Sequence, residues 1–156
     1  MGEVLSLLAA KRRRAAARSL GKRFVFTNGC FDVIHPGHVA LLVEARKRGD
    51  YLLVGLNSDR SVRGLKGDGR PLQSEEARSI VLSSLKPVDG VVLFDEETPL
   101  ALIRELVPDV LVKGGDYTKE RVVGREEVEA AGGEVVIVPL VQGYSSSALV
   151  EKIRRE

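Results

Sequence analysis

From Arg23 onwards this chain alternates short apolar runs with helical patterns, and few folds accommodate that order. The strand candidates are Arg23–Thr27, Tyr51–Leu56, Val91–Phe94, Val110–Val112 and Glu134–Val138. Helices are expected near Gly37–Arg48, Ser74–Leu85, Thr98–Val107 and Arg125–Ala131. Apolar strands separated by helices predict an α/β fold: a parallel sheet of about five strands, covered by helices on both faces. Local chemistry marks the helix ends. Ser74 reads as a cap, with Glu75 and Glu76 complementing the helix dipole; Thr98 reads as a cap followed by Pro99 at the first position, and Pro108 stops that helix. Ala77, Ile80, Val81 and Leu85 repeat with the helical period and mark an expected buried face.

Ahead of Arg23, an amphipathic helix is expected from about Glu3 to Ser19, with Val4, Leu8 and Ala15 on its apolar stripe. Lys11-Arg12-Arg13-Arg14, with Arg18 beyond, reads either as a solvated face or as a phosphate or partner contact. The expected organisation is this helix over 1–20 and one domain over 21–156, as the length of 156 residues suits. An apolar content of 44% excludes disorder, and no apolar run approaches the roughly 20 residues that span a bilayer. The N-terminus lacks a long apolar signal region, so a cytoplasmic location is expected. A single cysteine excludes an internal disulfide framework and a thiolate-rich metal site. Lys plus Arg is 24 and Asp plus Glu is 22, a net charge of +2, too balanced to argue for nucleic acid.

The strongest functional signal runs from Phe24 to His38, where an apolar strand meets a short loop and then a helix start. His35 and His38 are the chain's only histidines. Proline suits the first helical position, which makes His35 the cap and His38 a first-turn residue beside free backbone N–H groups. Such a place binds anions, with phosphate the expected one. The segment Arg63–Pro71 carries three glycines and three basic residues, and reads either as an ordinary connection or as a flexible lid that brings Lys66 or Arg70 onto phosphates. Asn28–His38, Lys113–Tyr117 and Gln142–Ser147 all follow strand candidates, and open parallel sheets bind ligands at the carboxyl ends of their strands. Cys30 reads as a small buried loop residue rather than a nucleophile. Asp32 either coordinates Mg²⁺ or ties down its loop, and a zinc site using both histidines with Cys30 or Asp32 is a further alternative. A P-loop and a G-x-G-x-x-G after the first strand are both absent, which argues against kinase and dinucleotide oxidoreductase readings.

His35-Pro36-Gly37-His38 after Gly29-Cys30-Phe31-Asp32 resembles the HxGH signature of the cytidylyltransferase-like nucleotidyltransferases. Phe26–Asp32, Leu65–Asp68, Arg70-Pro71, Leu111–Tyr117, Gly132–Val135 and Tyr144–Ser147 look like the adenylyltransferase half of the bacterial ADP-heptose synthase family. The resemblance implies a Rossmann-like sheet, commonly in a homodimer. It also implies transfer of AMP from ATP to D-glycero-D-manno-heptose 1-phosphate, with ADP-heptose feeding lipopolysaccharide core assembly. A separate sugar kinase would supply the acceptor, Mg²⁺ would be held mainly through the nucleotide phosphates without a protein metal site, and neither nucleic acid nor membrane would be a partner.

Carried over by position, His35 and His38 stabilise the transition state and Lys66 assists. Asn28, Gly29, Cys30, Phe31, Asp32 and Gly37 form the nucleotide loop, with Cys30 and Phe31 approaching largely through backbone. Lys113, Gly114 and Asp116 supply ribose or phosphate contacts; Asp116, Tyr144 and Ser145 hold the adenosine side, and Ser146 belongs to the same helix start. Arg78 either meets a phosphate or forms a surface ion pair with Glu75. The alternatives are a cytidylyltransferase acting on glycerol 3-phosphate or another phospho-alcohol, and, more distantly, a non-catalytic nucleotide sensor. Gln142 stands near where the glycerol-3-phosphate enzymes have acidic and basic residues, which favours ATP over CTP.

Overall fold

The computed structural model describes residues 1–115 and 117–156. Among them lie strands β1 (Glu3–Leu5), β2 (Phe24–Gly29), β3 (Tyr51–Asn57), β4 (Gly90–Phe94), β5 (Val110–Gly114) and β6 (Glu134–Val138). The α-helices are α1 (Leu7–Ser19), α2 (Pro36–Arg46), α3 (Asp59–Lys66), α4 (Glu75–Ser84), α5 (Leu100–Leu106), α6 (Arg125–Ala130) and α7 (Ser146–Arg154), with one 3-10 turn at Lys119–Arg121. The strands form a single parallel sheet in the order β1-β4-β3-β2-β5-β6.

The middle strands are apolar on both faces because helices cover both. Phe24, Phe26 and Leu53 point to one side, into a cluster with Ala10 and Ala17 of α1, Leu102, Ile103 and Leu106 of α5, and Val128 of α6. Val25, Leu52 and Val54 point to the other, against Leu42 and Ala45 of α2 and Leu82 of α4. The chain builds outward from β2 to β3 and β4, then returns to place β5 on β2's other side. The order therefore reverses between β2 and β5, and a crevice opens beyond the carboxyl ends of strands at such a point.

The sheet has one strand more than expected. Glu3–Leu5 pairs with Gly90–Val92 instead of opening a helix, and Gly2 approaches so closely that a Cβ there would lie 2.5 Å from the Val88 carbonyl oxygen. The helix begins at Leu7, where the Ser6 hydroxyl accepts from the Ala9 N–H. Its expected stripe is not its buried face: Val4 and Leu8 are exposed, whereas Ala10, Arg14 and Ala17 are buried. Arg14 is drawn inward by the Asp109 carboxylate and the carbonyls of Leu106 and Val107.

Further local differences have equally plain causes. Arg63–Lys66, expected in a loop, form the last turn of α3, capped by Ser58 and stopped at Gly67, whose φ is 92°. On α4, Ile80 and Val81 face solvent while Arg78, Ser79, Leu82 and Ser83 are buried, because acceptors deep in the molecule claim the Arg78 guanidinium. Helix α5 starts one residue later than expected, with Pro99 rather than Thr98 at the cap position. The Ser74 cap forms as the sequence suggests, accepting from the Ala77 N–H, and the Ser145 hydroxyl accepts from the Ala148 N–H. Among the described residues, no helix is long and apolar enough to cross a membrane.

Candidate active site

A cleft of about 800 Å³ opens at the reversal point. Asn28, Gly29, Cys30 and Phe31 enter it from the end of β2, and His35, Gly37 and His38 from the start of α2. Lys66 comes from the end of α3, Lys113 and Gly114 from the end of β5. Tyr144, Ser145 and Ser146 complete that side at the start of α7. Thus three segments far apart in the chain converge, as the strand-end rule requires.

The two imidazoles are stacked, with ring centroids 3.7 Å apart. His35 takes the extended cap conformation and Pro36 the first helical position. Gly37 is needed here, because a Cβ would come within 3.0 Å of the His35 ring. The His35 backbone N–H donates to His38 Nδ1 at 3.4 Å. Burial, reinforced by the nearby His35 and Lys66, pushes the His38 pKa down to about 4; burial lowers that of His35 too. A neutral His38 that accepts at Nδ1 carries its proton on Nε2. His35 Nδ1 is buried without a partner among the described residues.

Phe31 sets the shape of the loop. Its φ of 45° is unusual for a bulky residue, and its buried ring tucks beside His38 with centroids 5.0 Å apart. Gly29 makes room, since a Cβ there would lie 2.9 Å from that ring. Burial raises the Cys30 thiol pKa, only partly opposed by Lys66, Arg78 and Arg70, so a thiolate nucleophile is disfavoured. The Lys113 ammonium lies 5.4 Å from the centre of the Tyr117 ring, and burial lowers its pKa. Tyr144 holds its ring nearly parallel to His35 at 6.4 Å. Ser145 caps α7, and the Ser146 hydroxyl donates to the Val33 carbonyl, tying that helix to the histidine loop. Asp116 lies outside the described residues.

Three residues considered as nucleotide or phosphate contacts do not line the cleft. Asp32 is buried, and its carboxylate accepts from Arg70 Nε and from the backbone N–H groups of Leu72 and Gln73. Burial alone would raise its pKa, but those donors outweigh it and hold the carboxyl below its ordinary value. Of the two roles open to it, tying down the loop is the one the structure displays. Arg70, considered as a phosphate contact on a lid, is engaged with Asp32 instead, at 2.7 Å. Arg78 is fully buried, does not line the cleft and, among the described residues, forms no ion pair with Glu75. Its donors go to the carbonyls of Gln73, Cys30 and Asn57 and to Asp59.

Sequence reasoning missed Glu97, Thr98 and Pro99 after β4 and Arg121 after β5, which line the cleft together with Tyr117 of the expected Lys113–Tyr117 segment. The strand-end rule applied to β4 would have found the first three. Nothing periodic marks the single turn that carries Arg121.

The model of the cytidylyltransferase-like family matches residues 26–152. The chain is 58% identical over 144 residues to the bifunctional protein HldE of Bradyrhizobium sp. (strain ORS 278), covering 92% of this chain and 29% of that protein. It is 56% identical over 151 residues to the bifunctional protein HldE of Bradyrhizobium diazoefficiens, covering 97% of this chain and 31% of that one. The chain thus spans under a third of these relatives' length. Among solved structures, the lipopolysaccharide core biosynthesis protein of Thermoplasma volcanium superposes with a TM-score of 0.63 at 30% identity, over 80% of this chain and all of that one. Pantothenate synthetase of Thermus thermophilus shares the fold, with a TM-score of 0.66 at 19% identity over 99% of this chain and 70% of that one.

Proposed function

Since the chain belongs to the cytidylyltransferase-like family of nucleotidyltransferases, we propose that it transfers AMP from ATP to D-glycero-D-manno-heptose 1-phosphate, yielding ADP-heptose and pyrophosphate. The observation that carries this reading is the pair of stacked, neutral imidazoles at the start of α2, facing a cleft with Lys66 and Lys113 in its wall. The names of the relatives support the acceptor: proteins called HldE match nearly the whole chain, and a solved relative is named for lipopolysaccharide core biosynthesis.

In this mechanism an oxygen of the sugar phosphate attacks the α-phosphorus of ATP. A new P–O bond forms as the bond to pyrophosphate breaks in line. No protein nucleophile takes part, which suits a Cys30 thiol whose pKa burial raises. His38 donates its Nε2 proton in a hydrogen bond to oxygens on which charge builds up, and the half-buried His35 braces it. Lys66 adds a point charge from the end of α3. The start of α7, with Ser145 and Tyr144, receives the adenosine side. Asp32 has no oxygen to spare for a metal, so the site suits a Mg²⁺ that arrives on the triphosphate, where it would neutralise charge on the leaving pyrophosphate.

The test is pyrophosphate release, crossing ATP and CTP with heptose 1-phosphate, other sugar 1-phosphates and glycerol 3-phosphate. Release with ATP and heptose 1-phosphate is expected, and His38→Ala should lower kcat on the order of 100- to 1,000-fold with the fold intact. Release only with CTP and glycerol 3-phosphate would overturn the substrate reading, and unchanged turnover by His38→Ala would overturn the mechanism.

A further inference from the structure

The cleft straddles the end of the sheet. His35 and His38 open α2, which packs on the Val25–Leu52–Val54 side. Glu97 leads towards α5, which packs on the Phe24–Phe26–Leu53 side, as does Val122 beside Arg121. A substrate pair that meets at the histidines therefore has a second wall across the sheet from α2.

That second wall has an unusual charge pattern. Glu97 is the sole carboxylate among the described residues lining the cleft. Lys66, Lys113 and Arg121 line it too, and among the described residues none of the four takes part in an ion pair. The loop carrying Glu97 is pinned on both sides. The Ser61 hydroxyl donates to the Glu96 carbonyl at 2.8 Å, the Ser58 N–H donates to the Phe94 carbonyl at 2.9 Å, and Pro99 is buried.

An unpaired carboxylate in a cleft for two polyanions is repelled by every phosphate. Glu97 is exposed, so water solvates it while the cleft is empty; with both substrates bound, the group it suits is an uncharged, hydroxyl-bearing part, because a carboxylate accepts hydrogen bonds and donates none. The adenosine side is assigned to Tyr144 and Ser145 at the start of α7, which leaves the acceptor sugar. Resting on the nucleotidyl-transfer reading above, we propose that Glu97 is a specificity residue: its carboxylate accepts hydrogen bonds from the hydroxyls at the end of the acceptor sugar remote from its phosphate. The phosphate end is drawn the other way, towards Lys113 and the histidines.

The experiment is steady-state kinetics on the full chain and on Glu97→Ala and Glu97→Gln, with MgATP and either heptose 1-phosphate or mannose 1-phosphate. Mannose 1-phosphate lacks the seventh carbon and its hydroxyl. The unaltered protein should prefer the heptose. Glu97→Ala should raise the KM for heptose 1-phosphate about tenfold or more, erase the preference and leave the KM for MgATP unchanged. Glu97→Gln, which keeps one carbonyl acceptor, should fall between. An unchanged acceptor KM overturns the proposal, as does equal use of both sugars by the unaltered protein. A raised KM for MgATP also overturns it, by placing Glu97 on the nucleotide or its metal. No turnover of either sugar phosphate by the unaltered protein overturns the functional reading, and this inference with it.

Discussion

Replacing Arg78 by methionine separates two views of a residue that sits close to the cleft without lining it. Arg78 has no exposed side-chain surface, and its guanidinium spends four hydrogen bonds inside the protein. Methionine fills similar space but leaves three carbonyl oxygens and Asp59 without their donor. Removing one partner of a buried ion pair costs about 3–5 kcal/mol. The Asp59 side chain is 27% exposed, so water relieves part of that loss and the lower end of the range applies. At about 2–4 °C per kcal/mol for a chain of this size, a loss of about 3–4 kcal/mol lowers the thermal midpoint by roughly 6–16 °C. Circular dichroism without nucleotide reads this directly. Arg78→Lys should recover little, since one ammonium cannot reach acceptors spread around a planar fork. ATP affinity, measured by calorimetry below the transition, should also weaken, because the Cys30 carbonyl lies in the nucleotide loop. An unchanged midpoint with weakened ATP binding would refute this reasoning and return Arg78 to direct phosphate contact.

Two further outcomes are expected. In the nucleotide-free protein, proton NMR should show His38 titrating near pH 4 and His35 below its ordinary 6.5; a His38 midpoint at 6.5 would refute the half-buried, neutral ring. Both folded-state values lie below the unfolded ones, so the unfolded chain takes up protons first, and the histidines' contribution to stability is full above pH 6.5 and is lost as pH falls towards 4. Thr27→Val should raise stability by about 1 kcal/mol in denaturant unfolding, because the Thr27 hydroxyl is buried without a partner among the described residues and valine has the same shape; a loss of stability would reveal a partner for that hydroxyl.

Where the sequence could be read, the signal was local. The order of strands and helices follows from apolar runs and caps, each decided within a few residues. The histidine pair at the start of α2 follows from Pro36 and Gly37 alone. Features decided by distant neighbours were not legible. Strand β1 is three residues long, and its edge pairing with β4 leaves no periodic trace. Helix α3 has two apolar residues in eight, Val62 and Leu65, and owes its start to the Ser58 cap. Helix α4 carries an apolar stripe whose Ile80 and Val81 nevertheless face water, because the acceptors that turn it lie just past β2, at the end of β3 and in the loop before it.

The same division separates the polar residues whose hydrogen bonds the fold has already used from those it leaves open. Beside an expected phosphate site, an arginine and an aspartate both invite a ligand role. In the fold, Asp32 gathers Arg70, Leu72 and Gln73, while Arg78 gathers Gln73, Cys30, Asn57 and Asp59. Gln73 belongs to both sets, and its side chain also donates to the Asp32 carbonyl. The two clusters are therefore one network, joining the ends of β2 and β3 to the segment before α4. Asp32 and Arg78, so fully satisfied, gain little from a ligand and would lose their present partners by meeting one. The residues with capacity to spare, Lys66, Lys113, Arg121 and Glu97, project from element ends into the cleft. Sequence motifs record residue type, whereas readiness to bind depends on which donors and acceptors the fold has already used. That is why Arg78, which fits the family pattern, becomes scaffold here, and why Glu97, which no motif marked, is free to choose the substrate.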